Sequence, residues 1–264
     1  MLYFRATFFV FISLFLLACE KETAVQRTQA YNTNAILWQQ HAAEYKALAH
    51  QAFNIAKVQI DNLPMPQSSL KPWAVVTDID ETVLDNTPYN AKMALLGKEF
   101  DKASWFDWGL QKNAKAVPGA LTFFNYVAEK GIEIFYISNR YEGQKQETIE
   151  NLKMLGFPNA DVEHVLLKGS ISGKESRRDT VENTHQIALL LGDNLSDFSA
   201  VFDDRTAGKA HENVEKMRLL FGSKFIVFPN AIYGHWETKE IFDNNYDWTP
   251  AQKDSIRKAK FITY

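Results

Sequence analysis

The stretch WAVVTDIDETVLDN, from Trp73 to Asn86, joins an apolar run to a group of acids. Trp73 to Val76 read as a buried strand, and Asp78, Asp80, Glu81 and Asp85 follow at its exit. A buried carboxylate is costly unless it is paired or binds a cation. Alternation puts Asp78 and Asp80 on the same side if the backbone stays extended. Two such carboxylates repel each other, so a divalent cation is their natural partner. Aspartate oxygens suit the hard ion Mg²⁺, which works together with a substrate phosphate.

Outward from this strand, apolar segments alternate with helical ones. Further strands are expected at Ile132–Ile137, His164–Leu167, Ile187–Leu191 and Phe225–Phe228. Helices are expected at Leu121–Lys130, Gln144–Leu155, Lys174–Asn183 and Val214–Phe221. Short apolar strands alternating with helices predict an α/β fold with a parallel, helix-covered sheet. Upstream, Leu37, Trp38, His41, Tyr45, Leu48, Ala52, Ile55 and Val58 recur at steps of mostly three or four, the pattern of one amphipathic helix. Thr87 to Lys115 is too long for a simple loop and reads as an insertion over the strand ends. The tail from Pro229 to Tyr264, rich in aromatics, is expected to pack beside it.

In an open parallel sheet, ligands bind beyond the carboxyl ends of the strands. The polar clusters fall there. Strand one exits into Asp78-Ile79-Asp80-Glu81-Thr82, strand two into Ser138-Asn139-Arg140, and strand four into Gly192-Asp193-Asn194-Leu195-Ser196-Asp197-Phe198. Lys174 opens the helix after strand three. One carboxylate can attack phosphorus while another moves the proton. Ser138, Lys174 and the amides after Asp78 can hold phosphate oxygens, and fixed donors stabilise the developing charge.

The ordered set of DxDxT after a strand, Ser after the next, Lys, and GDNxxDF resembles the haloacid-dehalogenase-type phosphohydrolases. DIDETVLDNTPY and LLLGDNLSDF together resemble the class C, four-aspartate acid phosphatases, which include bacterial outer-membrane lipoproteins acting as 5′-nucleotidases. VPGALTFFNYV, YISNR and FPNAIYGHWE are also similar to that subgroup. The resemblance implies a three-layer sandwich with a mostly parallel central sheet and a small, mainly helical cap. It makes Asp78 the nucleophile, forming an aspartyl-phosphate, and Asp80 the acid and then the base. Mg²⁺ would take Asp78, the Asp80 carbonyl and Asp193. Asp197 would act through metal-bound water or by orienting neighbours. Ser138 and Lys174 would hold phosphate, with Lys168 a rival for the lysine. Asn139 and Arg140 would either contact phosphate or brace the loop. Tyr233, Trp105 and Trp108 would stack on the base of a nucleotide. Glu81 and Asp85 read as structural supports, and His211 and His235 as surface or packing residues.

The amino terminus carries a different signal. One charge, Arg5, precedes the apolar run Phe8–Leu17, too short to span a membrane and suited to a signal peptide. It ends in Leu-Leu-Ala-Cys19, which resembles a bacterial lipobox, so lipidation of Cys19 would anchor the protein to a membrane. Glu20 after the Cys favours, by the same resemblance, the outer membrane of the cell envelope. The expected organisation is a signal peptide over 1–18, a lipidated tether over 19–34, and a phosphatase domain over 35–264. Cap elements are expected from about 35–62, 87–115 and 229–264. The chain of 264 residues has a net charge of -3, which excludes a general basic footprint for nucleic acid. The polar and aromatic surface of the insertion hints at a homodimer. The expected activity is Mg²⁺-dependent hydrolysis of phosphate monoesters, nucleoside 5′-monophosphates or nicotinamide mononucleotide first. The alternatives are a broad phosphatase or phosphotransferase, and a surface lipoprotein binding a haem-type ligand on an idle scaffold.

Overall fold

The computed structural model describes residues 24–64, 71–204, 206 and 208–264. Cys19 and the 1–18 segment lie outside the described residues. Among those described, no helix is long and apolar enough to cross a membrane.

Five strands form one parallel sheet in the order β5-β4-β1-β6-β7. They are β1 (Trp73–Thr77), β4 (Glu133–Tyr141), β5 (Val165–Lys168), β6 (Gln186–Gly192) and β7 (Phe225–Val227). A two-residue antiparallel pair, β2 (Leu84–Asp85) with β3 (Lys115–Ala116), closes the insertion beside the main sheet. β1 is central, so Ala74, Val75, Val76 and Thr77 are all buried. That double burial is why the strand is a continuous apolar run rather than an alternating one. The chain builds outward from β1 on one side and then returns to the other through β6. The acids that end β1 and β6 therefore meet where the strand order reverses, the usual ligand crevice of such sheets.

The strands send alternate residues to two cores. Val75, Ile134, Tyr136, Leu189 and Leu191 pack under α2 (Ala43–Asp61), α5 (Ala120–Glu129) and α6 (Lys145–Leu155). Ala74, Val76, Phe135, Ile137 and Leu190 pack against Val181 of α7 (Glu175–Glu182) and the 195–225 segment. Each large side chain fully buried here, such as Phe124 or Leu191, contributes about 1.5–3 kcal/mol.

Four expectations change. The stretch read as a tether is helical from Ala24, within α1 (Ala24–His41), and the single helix over 35–58 is two helices broken at Ala42. Ala42 is extended (ψ 129°), which turns the chain between them. The 35–62 segment is not all cap: α2 covers the sheet through Ala49, Ala52, Phe53 and Ala56, while α1 contacts α3 (Thr87–Leu95) and α10 (Pro250–Lys260). The helix expected at Val214–Phe221 lies earlier, at Lys209–Lys216 (α8), and a short 3₁₀ turn at Arg218–Leu220 follows it.

The insertion consists of α3 and α4 (Lys102–Leu110). Asp101 caps α4, its carboxylate accepting from Ala103 N and Ser104 N at 3.0 and 3.1 Å, a cap worth about 1 kcal/mol. The tail holds a short helix at His235–Thr238 (α9) and then α10, opened by a Thr249–Gln252 capping box and Pro250.

Candidate active site

β1 ends in a tight turn. The amides of Val83 and Leu84 both donate to Ile79 O at 2.8 Å, and Glu81 sits at φ 57°. This turn separates the two aspartates. Asp78 stays anchored to the sheet, its N–H donating to Leu191 O at 2.8 Å, and its carboxylate faces the exit of β6. Asp80 faces β4 instead.

Asp78, Asp193 and Asp197 bring one carboxylate oxygen each to within 4.8 Å of one another. Lys174, at the start of α7, is buried among them and donates to Asp78 Oδ1 and, at 2.7 Å, to Asp197 Oδ1. Asp197 Oδ2 also accepts from Asn194 N at 2.9 Å. Burial pushes the Asp78 carboxyl up to about 7; Lys174 pulls it down, and Asp197 and Asp80 push it further up. Burial, then the charges of Asp197 and Asp78, hold Asp193 well above the usual carboxylate range. Three acids against one ammonium leave this corner short of positive charge. Its donors are hard oxygens, so the residues present fit a divalent cation of the Mg²⁺ kind.

Gly192 matters for space. A Cβ there would lie 2.4 Å from Cβ and Oδ2 of Asp197, so only glycine lets the Asp197 side chain fold back over the end of β6. Asp193 is gripped from the tail, with Asn230 Nδ2 donating to its Oδ2 at 2.8 Å. The same tail loop meets Asn194, whose Oδ1 accepts from His235 N at 3.2 Å. Gly234 (φ 152°) passes close by: a Cβ would lie 3.0 Å from Trp236 Cδ1 and 3.1 Å from Asn194 Nδ2.

Asp80 has its own cradle. Ser138 Oγ donates to its Oδ2 at 3.2 Å, and Asn86 Nδ2 and Arg140 Nε donate to its Oδ1 at 2.8 and 2.9 Å. Arg140 is buried, so its role is to brace Asp80 rather than to face solvent. Behind it, Asn86 Oδ1 accepts from Arg140 Nη2 at 3.2 Å and from Trp108 Nε1 at 2.8 Å. Glu81, fully buried, accepts from Asn86 N at 3.1 Å and from the Tyr233 hydroxyl. Burial, then the Asp80 charge, pushes Glu81 up to about 8. Burial, then Glu81, raises the Tyr233 phenol well above its ordinary value.

The structure thus gathers Asp78, Asp80, Asp193, Asp197, Ser138 and Lys174 on one rim. Asp197 joins the acidic corner directly instead of standing behind it. Lys174 is the lysine of that corner; Lys168 lies elsewhere, over the Tyr141 ring. Asn139 is exposed, and its Oδ1 accepts from Arg177 Nη2 at 2.8 Å. Trp108 is a core residue whose indole N–H is spent on Asn86, so it braces the Asp80 cradle and offers no open stacking face. Trp105 is half-buried, packed on Tyr89 with ring centroids 5.0 Å apart and 5.6 Å from the Arg140 guanidinium. Tyr233 is half-buried, with its hydroxyl tied to Glu81. Asn86 and Asn230 were not singled out by sequence, and of the two roles open to Arg140 the sequence named no partner for bracing. Their signal, polar residues inside the motif segments, was present but gave no partner.

Residues 17–236 match the family described as HAD superfamily, subfamily IIIB (acid phosphatase). The chain belongs to this family. Among solved structures, the subfamily IIIB chain is similar to the class C acid phosphatase from Bacillus anthracis. Identity is 40% and the TM-score 0.84, over 92% of this chain and all of that one. A structure of the Bacillus anthracis enzyme with tungstate bound gives 39% identity and a TM-score of 0.84, over 90% and 99% of the two chains. Acid phosphatase 1 from Solanum lycopersicum is 31% identical over 130 residues, 46% of this chain and 50% of that protein. The chain spans about half the length of the curated relatives it matches first.

Proposed function

We propose that the protein is a divalent-metal-dependent acid phosphatase that cleaves phosphate monoesters, nucleoside 5′-monophosphates or nicotinamide mononucleotide first, through an aspartyl-phosphate on Asp78. One observation carries this reading: two aspartates two residues apart stand in different environments. Asp78 lies in an acidic corner with Lys174, and Asp80 in a cradle of Ser138, Asn86 and Arg140. Splitting two carboxylates this way is how one site obtains both a nucleophile and a proton carrier. The family, and tungstate as a tetrahedral oxyanion on a structural neighbour, support it.

In the first step an Asp78 oxygen attacks phosphorus, the bond from phosphorus to the ester oxygen breaks, and Asp80 gives its proton to the departing alkoxide. In the second step Asp80, now a carboxylate, takes a proton from water as that water attacks phosphorus. The bond from phosphorus to Asp78 breaks and releases inorganic phosphate. Lys174 and Ser138 are placed to hold phosphoryl oxygens, each exchanging an aspartate partner for the substrate. A divalent cation held by Asp78, Asp193 and Asp197 would offset the phosphoryl charge. Trp105 and Tyr233, both half-buried aromatics, would stack on the base.

The test is inorganic phosphate release from a nucleotide panel with and without Mg²⁺. No release from any nucleotide, or full release by Asp78→Asn, would sink the proposal. The lipobox reading adds a place: an envelope lipoprotein anchored through Cys19, removing phosphate from nucleotides outside the cytoplasm. Membrane retention that survives Cys19→Ala would count against that anchor.

A further inference from the structure

Lys168 ends β5 and Tyr141 ends β4, and the parallel register sets them opposite each other. The Lys168 ammonium lies 4.3 Å from the centroid of the Tyr141 ring. Lys102, from the first turn of α4, lies 4.6 Å from the same centroid and 5.6 Å from that of Phe106. The Phe106 and Tyr141 rings are themselves 5.5 Å apart. Two ammonium groups therefore lie against one tyrosine ring, and the Lys102 charge raises the cost of the Lys168 charge.

Among the described residues neither lysine forms an ion pair with a carboxylate. Burial lowers the pKa of Lys168, and the charges acting on it, Arg177 and Lys102, are both positive. The neighbouring acid, Glu142, reaches Lys145 at 3.4 Å. Arg177 itself donates to neutral oxygens: Ser138 O, Asn139 Oδ1, Ser172 O and Gly173 O, at 2.6, 2.8, 3.0 and 3.2 Å. Through Ser138 it connects this cationic strip to the Asp80 cradle. Tyr141 is three residues beyond Ser138 on the same strand, about 10 Å along it at ordinary strand rise. A cation cluster, here with Lys168 half-buried and Lys102 exposed, concentrates anions locally, and ammonium groups bind phosphate as point charges.

We propose that Lys168 and Lys102, over Tyr141, form a second anion subsite that takes a second phosphate group of the substrate while the first faces Asp78. The inference rests on the phosphatase reading and extends it to bisphosphorylated monoesters as a preferred class. Both lysines are outside the acidic corner, so replacing them leaves the reacting groups in place.

The probes are adenosine 5′-monophosphate and adenosine 3′,5′-bisphosphate, assayed with the full-length protein, Lys102→Gln, Lys168→Gln and Lys168→Arg. The bisphosphate is expected to show a KM about tenfold lower than the monophosphate. Either Gln variant removes most of that advantage with monophosphate kinetics unchanged, Lys168→Arg keeps it, and added salt shrinks it. Equal KM values for the two nucleotides in the unaltered protein, or Gln variants that shift both alike, overturn the subsite. Calorimetric binding of the same nucleotides separates the two readings. Tighter bisphosphate binding that is lost in Lys168→Gln, without any phosphate release, keeps the subsite and overturns the phosphatase. Equal binding without release overturns both.

Discussion

Asn230 Nδ2 donates to Asp193 Oδ2 at 2.8 Å, joining residues 37 apart in sequence. Asn230 also fixes the tail loop, its Oδ1 accepting from Ile232 N at 2.9 Å. It therefore orients an acid of the metal corner from outside that corner. Removing such a partner typically costs 10–100-fold in metal affinity or activity. Asn230→Ala is expected to raise the Mg²⁺ concentration needed for half-maximal activity by about tenfold. Activity at saturating Mg²⁺ should largely recover. A metal titration checks this, and an unchanged midpoint would contradict it.

The two aspartates at the end of β1 should fail differently. Asp78→Asn removes the attacking atom and should abolish phosphate release from every ester. Asp80→Asn removes proton transfer, which contributes about 10²–10⁴-fold. Its loss should be large for alkyl phosphates and small, in the first step, for an aryl phosphate whose leaving group needs no proton. Single-turnover rates on both ester types distinguish the variants.

Lys174 is the one cation ion-paired with the carboxylates of the acidic corner among the described residues. Deleting one partner of a buried ion pair costs about 3–5 kcal/mol, because the remaining charge has no partner. Lys174→Met should lower the melting temperature sharply in chelator. Added Mg²⁺ should return part of the loss, since the cation then supplies charge to Asp78 and Asp197. Thermal melts with and without Mg²⁺ read this directly.

Glu81 gives a pH signature. Burial, then Asp80, raises its folded pKa from 4.5 to about 8. Between those values the folded chain holds a proton that the unfolded chain has released, so this contribution is complete below about pH 4.5 and is lost as pH rises through about 8. Glu81→Gln keeps a neutral acceptor for the Tyr233 hydroxyl and removes the titration. The metal-free variant should therefore lose less stability than the parent between pH 5 and about 8.5. Denaturant midpoints across that range are the measurement.

The sequence was readable where one segment carries its own constraint. β1 had to be central because both of its faces are apolar, and its exit had to hold acids with a job. Gly192-Asp193-Asn194 could be placed at a second exit for the same reason. The bracing network was not readable beyond a bracing alternative for Arg140, because Asn86, Arg140 and Asn230 acquire their partners only from the fold. Trp108 shows the limit most clearly: an aromatic in an insertion can stack on a ligand or fill a core, and its indole N–H on Asn86 decides for the core. The break at Ala42 was invisible because the apolar period continues across it while the backbone turns.

The grip of Asn230 on Asp193 also sets an order of events. β7 ends at Val227, so the sheet is complete before residue 230 is made. A domain generally folds as a unit once its chain has been made. A nascent chain that stops short of the tail would own every strand and both aspartates of β1, yet leave Asp193 unsupported. Support for Asp193 therefore arrives only after every strand of the sheet has been made.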